Sequence, residues 1–331
     1  MARSPLTLAA LATSAVSGLD VVGATAMGSS DGAYDAALLS ARDGRSWVIR
    51  VPRTAHAESE QSADLVSLRA LSQGVRTRLP FAVTAFAGQV PVGSTRAIVS
   101  EFVDGAKTTL AATSTELAAS IGRAVAAIHS LPTSFVTDAG LPSLSPIHAL
   151  QETTSVVDRA VATGLVPETL RQRWERALDE RRIWEFQPTV INGALGADSI
   201  LSRDDEVTGV LGWHALRVAD PARDVAWLLG GRRSDLADAV FDAYSAVRGT
   251  VDRQLRQRAT LYAELEIAKW LLHGTESRST EVVDDAVHML HGLVDDLQND
   301  LMNPLGPQTM PVMAVDEVEA MLDKVEHTRA G

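Results

Sequence analysis

Before Asp104-Gly105, apolar positions alternate with polar ones in short runs; beyond it they recur every three or four residues in longer ones. The first pattern is that of strands and the second that of amphipathic helices. The alternation predicts strands over 19–25, 34–40 and 46–51, with the last two paired across the turn signal Arg42-Asp43-Gly44. Met27-Gly28-Ser29-Ser30-Asp31-Gly32 reads as the turn after the first of them. Within 56–73, Leu65, Leu68 and Leu71 share one helical face, and Gly74 is placed to cap that helix. Two more strands are expected over 81–86 and 96–103.

In the second half of the pattern, Thr113 and Glu116 have capping-box spacing ahead of Leu117, Ile121, Val125 and Ile128, and Pro132 closes that helix. Ser145-Pro146 and Pro167 open two further helices, with Gly164 ending the earlier one. Short strands are expected within 189–213, followed by long helices over 234–247, 252–273 and 280–298. Trp213, Trp227 and Trp270 are expected in the core. Pro304, Gly306, Pro307 and Pro311 then mark a linker, after which Val315, Val318, Met321, Leu322 and Val325 form an apolar stripe on a short helix. That helix either docks on its own core or offers its stripe to a protein partner.

A chain of 331 residues has room for about two such units. Its 46% hydrophobic and 22% charged residues are those of an ordinary globular protein. A formal net charge of −12 repels phosphate backbones, so nucleic acid is not an expected partner. No run approaches the ~20 apolar residues that span a bilayer, so neither is a membrane. The absence of cysteine excludes disulfides, thiolate nucleophiles and cysteine-based metal sites, and suits a reducing, cytoplasmic location. Arg3 and the apolar residues after it allow two readings, a secretory leader or a short helix ahead of the first strand.

Candidate chemistry lies in three segments. The first is Val190-Ile191-Asn192-Gly193-Ala194-Leu195-Gly196-Ala197-Asp198-Ser199-Ile200-Leu201, the second Val207-Thr208-Gly209-Val210-Leu211-Gly212-Trp213, and the third Asp220-Pro221-Ala222-Arg223-Asp224-Val225-Ala226. Together they resemble the signature of the aminoglycoside/macrolide phosphotransferase family, which has the protein-kinase-like fold. The family reads His-Gly-Asp-Leu-x-x-x-Asn-Ile-Leu, Gly-Val-Ile-Asp-Trp and Asp-Pro-Ala-x-Asp-Leu-Ala in these places, and the frames agree without gaps. Gly193, Leu195, Ile200, Leu201, Gly209, Val210, Trp213, Asp220, Pro221, Ala222, Asp224 and Ala226 match. The resemblance implies an α+β bilobal fold. It has a small antiparallel-sheet lobe on the nucleotide side (1–103), a larger helical lobe carrying the motif loop (104–300), and a linker with a tail helix (301–331).

The polar positions depart from the family. Asn192 stands at its His, Ala194 at its catalytic Asp, Ser199 at its metal-binding Asn and Gly212 at its metal-binding Asp. Phosphoryl transfer needs the phosphates placed, Mg²⁺ to neutralise developing charge, and a carboxylate to orient the attacking hydroxyl. Ala194 has no acceptor for a proton, Gly212 has no side chain, and Ser199 offers a hard cation only a neutral hydroxyl. A general base alone contributes roughly 10²–10⁴-fold. No catalytic and no metal-binding residue is therefore assigned. Asp198 is the one nearby acid worth testing as a substitute, whereas Asp204, Asp205 and Glu206 read as turn residues.

The resemblance also implies roles on the nucleotide side. Arg50 stands where the family's third strand presents a cation to phosphates, and Asp64 resembles that cation's acidic partner on the following helix. Glu101 and Val103 fit the hinge that would meet an adenine edge. Without the resemblance, Arg50 could equally be a surface ion pair and Asp64 a solvent-facing helix charge. ATP, held without Mg²⁺, is the candidate cofactor. His129 resembles a structural histidine of the family, Asp220 and Asp224 read as scaffold bracing the motif loop, and His288 and His291 as an exposed helix face. Three functions are expected in this order. The first is a pseudokinase that binds a small molecule, nucleotide or protein without phosphoryl transfer; the second, an ATP-dependent small-molecule phosphotransferase using Asp198; the third, an interaction protein acting through its tail helix.

Overall fold

The structure, a computed structural model, describes residues 2–28, 32–230, 233–249, 252–299 and 305. The expected tail helix therefore lies outside the described residues. The chain begins with a helix, α1 (Pro5–Ala15), started by Ser4, whose hydroxyl accepts from the Thr7 N–H at 3.2 Å. Three strands come next, β1 (Val21–Met27), β2 (Tyr34–Ala41) and β3 (Ser46–Pro52), then α2 (Ala55–Ala70), the short α3 (Gln73–Arg76), β4 (Ala82–Val83), β5 (Phe86–Val92) and β6 (Thr95–Glu101). Five of these strands form an antiparallel sheet ordered β1-β2-β3-β6-β5.

Alternation in β3 sends Trp47, Ile49 and Val51 into a core with Leu8 and Ala12 of α1, which makes the first helix part of this lobe. Val48 and Arg50 stand on the opposite face. Arg50 is thereby turned toward α2.

Two expectations fail here, for one reason. Gly74 does not cap α2; the helix stops at Ala70, and Arg76 takes over its end. The Arg76 guanidinium donates to the carbonyls of Leu71 (2.6 Å) and Leu68 (2.9 Å). It also donates to Val83 (3.0 Å) and Thr84 (2.9 Å). These last two bonds sit where the single strand expected over 81–86 breaks. Ala82–Val83 pairs in parallel with a strand of the second lobe, and only from Phe86 does the chain join the first sheet.

The second lobe contains β7 (Ala106–Lys107), α4 (Thr115–His129), α5 (Ser134–Asp138), α6 (Pro146–Ala162), α7 (Glu168–Asp179), β8 (Thr189–Ile191), β9 (Ile200–Arg203), β10 (Glu206–Val210) and β11 (Arg217–Ala219), followed by α8 (Ser234–Arg248), α9 (Leu255–Ser277) and α10 (Thr280–Asn299). A sheet ordered β4-β10-β9-β7 ties the lobes, and β8 pairs with β11. Its apolar core runs from Leu117 through Trp174, Trp213 and Leu261 to Leu290.

Three expectations are corrected in this lobe. Ser114, not Thr113, caps α4 by accepting from the Leu117 N–H at 3.0 Å; the Thr113 hydroxyl instead donates to the Thr109 carbonyl. The helix expected from 252 begins at Leu255, because Asp252 opens a turn instead, its Oδ1 accepting the Gln254 N–H at 3.1 Å while Arg258 donates to the same carboxylate. Trp270 is 38% exposed and donates to the Asp285 carboxylate, which keeps its indole N–H at the surface. Inside the lobe, buried ion pairs satisfy the polar groups: Arg173 and the Trp174 indole both donate to Glu264, and Arg258 to Asp220.

Candidate functional site

β8 delivers the motif loop, and one carboxylate holds the residues just after the strand. Asp224, fully buried, accepts the backbone N–H groups of Asn192 and Gly193, each at 2.7 Å. Gly193 is required there: its φ is +79°, and a Cβ would lie 2.5 Å from the Ala215 carbonyl oxygen. Asp224 ends a 3-10 turn over Pro221–Asp224 that Asp220 starts by accepting the Ala222 N–H at 2.9 Å. Asp220 is in turn held by Arg258 and the Tyr262 hydroxyl, both at 2.8 Å. Behind the loop, His129 Nε2 meets Asp224 at 3.3 Å and its Nδ1 meets the Tyr244 hydroxyl at 2.9 Å. A carboxylate only accepts, so Nε2 carries a proton toward Asp224, and in the tautomer that leaves Nδ1 bare that nitrogen takes the Tyr244 O–H. Burial pushes the Tyr244 phenol up to about 12, which keeps that O–H available.

Asn192 shapes the loop from inside. Its Oδ1 accepts the Ala194 N–H and its Nδ2 donates to the Gly212 carbonyl, both at 3.0 Å. The next residue, Trp213, donates its N–H to Asp64 Oδ1 at 2.6 Å, and Asp64 Oδ2 lies 3.8 Å from the Arg50 guanidinium. A continuous series of contacts thus runs from Asp224 through Asn192, Gly212 and Trp213 to Asp64 and Arg50. Asp64 is 8% exposed, so it is not a solvent-facing charge. Arg50 also stacks over Tyr34, its guanidinium 5.4 Å from the ring centroid.

At the hinge, the Glu101 N–H donates to Ala85 at 2.9 Å and the Phe102 N–H to Ser46 at 3.0 Å. Val103 packs where a Cβ on Gly209 would lie, 2.4 Å from its Cγ1. These bonds commit the first two backbone donors of the segment to the fold itself.

The chemical positions are present as shape alone. Ala194 presents a methyl group. The Ser199 hydroxyl is engaged inside its own turn, donating to the Gly196 carbonyl at 2.8 Å and accepting the Gly196 N–H at 3.0 Å. Gly212, at φ +68°, leaves open space, the nearest atom to an added Cβ being His214 Nδ1 at 4.0 Å. Asp198 is exposed. Asp205 and Glu206 are tied to Ser114 and to Ser120 with Arg123. Among the described residues, no group of three or more His, Asp or Glu is close enough to hold a metal ion, and His288 and His291 are exposed on α10.

Sequence reasoning missed the Arg76 clamp and the double role of Asn192. An arginine just after a helix gave no signal of which carbonyls before and after it the guanidinium would reach. Asn192 was visible as a departure, and an amide, whose donor and acceptor sit on separate atoms, can bridge two segments in a way a methyl cannot.

A family model described as a phosphotransferase enzyme family matches residues 29–262. Among solved structures, macrolide 2'-phosphotransferase MphH from Brachybacterium faecium, as apoenzyme, superposes with a TM-score of 0.70 at 22% identity, covering 87% of this chain and 98% of that one. A macrolide 2'-phosphotransferase type I gives 0.68 at 26%, covering 88% and 98%. The GDP complex of aminoglycoside 2'-phosphotransferase-IIIa gives 0.70 at 18%, covering 90% and 100%. The fold is therefore kinase-like, an antiparallel-sheet lobe joined to a helical one. The uncharacterized protein YcbJ of Bacillus subtilis (strain 168) is 38% identical over 71 residues, 21% of this chain and 23% of that protein's length.

Proposed function

Because this chain belongs to the phosphotransferase enzyme family, we propose that it is a member that keeps the family's loop and cleft as a binding frame and transfers no phosphoryl group. One observation carries the reading. Ala194, Ser199 and Gly212, at the family's base and metal positions, supply no free oxygen ligand, while Asp224 and Asn192 still hold the loop with bonds of 2.7–3.0 Å. Losing these groups removes transition-state stabilisation and the metal-assisted part of nucleotide binding, and leaves the direct contacts between protein and ligand. The ligand class is a nucleotide or another small molecule at the Arg50–Asp64 face, and a cysteine-free chain fits the cytoplasm.

Isothermal titration with ATP and with GDP, with and without Mg²⁺, tests this together with product analysis on an aminoglycoside and a macrolide. GDP is included because a relative of this fold holds it. Binding indifferent to Mg²⁺ and without product supports the reading; Mg²⁺-dependent binding with phosphorylated product overturns it. The double replacement Ala194→Asp and Gly212→Asp should make nucleotide binding respond to Mg²⁺, since the space at Gly212 is open and Asp tolerates a left-handed backbone.

A second reading, an active small-molecule phosphotransferase, rests on Asp198, whose carboxylate is exposed within the motif loop. In that case product forms in the native chain, and Asp198→Ala abolishes it.

A further inference from the structure

A cavity of about 880 Å³ opens behind the motif loop, between the end of α4, the segment leading into β8, and the end of α8. None of Arg50, Asp64, Ala194 or Gly212 lines it, so it is separate from the cleft between the lobes. Its size falls in the ~300–1,000 Å³ range of small-molecule sites.

Wall and charge describe an occupant. Phe186, Phe241, Leu131 and Pro188 give the wall apolar and ring surface. The lining acids are already engaged, Glu185 by Arg181 at 2.9 Å and Asp252 by Arg258, and Arg256 is neutralised by Asp238 at 2.7 Å. Arg248 and Arg253 have no carboxylate partner among the described residues, Arg248 reaching only hydroxyls, those of Ser130 at 3.3 Å and of Tyr244. They place two cations on one wall of the cavity, Arg253 at its exposed edge, in a chain of net charge −12.

From these features we infer a second binding site, for a small aromatic anion, a carboxylate or phosphate monoester whose ring lies on the phenylalanines and whose charge meets Arg248 and Arg253. The site is wired to the motif loop. His129 and Tyr244 line it, and both connect through Asp224 to the Asn192 and Gly193 amides. An occupant that orders this wall slows opening of the loop, whatever the loop itself does.

The test uses salicylate and phenyl phosphate as probes on the full chain, by isothermal titration. Saturable binding is expected for at least one, weakened about tenfold by Arg248→Met and by Arg253→Met, since each removes a charge-assisted contact. Amide exchange of 192–196 should slow with probe in the native chain and not in Arg248→Met. No saturable binding of either probe at millimolar concentration overturns the inference. So does binding that both arginine variants leave unaltered, because the probe then sits elsewhere.

Discussion

Replacing Asp224 by Asn isolates the bond set that shapes the motif loop without changing its volume. The native carboxylate accepts two amide donors at 2.7 Å and His129 at 3.3 Å, with no exposure to water. An Asn side chain has one acceptor oxygen, so one loop amide keeps a neutral bond and the other faces an NH₂ group, donor against donor. A charge-assisted bond is worth about 1.5–3 kcal/mol, and an orphaned buried donor costs about 1–3 kcal/mol. Relief of the buried charge's desolvation offsets part of this. The expected loss is roughly 2–4 kcal/mol, a large share of a typical ~5–15 kcal/mol total. Urea unfolding followed by tryptophan fluorescence reads the loss, because Trp213 packs beneath the loop and the Trp227 indole donates to the Asp224 carbonyl. Amide exchange over 192–196 reads the local effect, and should accelerate by more than the global destabilisation accounts for. A loss below about 1 kcal/mol with unchanged exchange would refute the reasoning. The loop would then be held by packing, chiefly Gly193 against Ala215.

Arg76→Lys orphans carbonyls at both the end of α2 and the β4–β5 break, since an ammonium cannot reach four acceptors in a planar fork; a loss of about 2–4 kcal/mol is expected, with faster exchange over 82–86. Arg173→Met strands the buried Glu264 carboxylate and should cost about 3–5 kcal/mol in denaturant unfolding. Adding Glu264→Gln should recover more than half of that, because the amide still accepts from the Trp174 indole and carries no charge. A double variant no better than the single would show that packing, not charge, sets the cost. Tyr244 and Tyr262 are both raised by burial, Tyr244 to about 12 and Tyr262 well above the usual phenol. Above the ordinary phenol pKa the unfolded chain releases protons that the folded chain retains, so stability falls as pH rises from ~10 toward 12. Tyr244→Phe should flatten that slope, which phenolate absorbance and melting curves at stepped pH both record.

What could be read from sequence was whatever a local pattern encodes. Alternation placed β2 and β3 almost to the residue, because Trp47, Ile49 and Val51 must share the face that meets Leu8 and Ala12. The motif loop was legible by spacing, since Gly193 and Asp224 are demanded by backbone geometry whichever chemistry the loop carries. Two errors arose where one side chain satisfies carbonyls on both sides of it in sequence, outside its own element. Arg76 ended α2 before Gly74 and split the strand expected over 81–86, and no periodicity announces a four-carbonyl contact. The same limit governs the site. That Asp64 meets the Trp213 N–H, 149 positions away, depends on how two lobes dock, which a chain position does not contain. Asn192 is the instructive case. Read alone it is a histidine lost; in place, its amide spans from the Ala194 N–H to the Gly212 carbonyl and keeps the two altered positions in register. A loop whose polar groups had been freed to drift would have no use for a residue that must satisfy both segments at once. Asn192→Ala, which severs both bonds and leaves the Asp224 contacts, should therefore loosen exchange at 194 and 213 together.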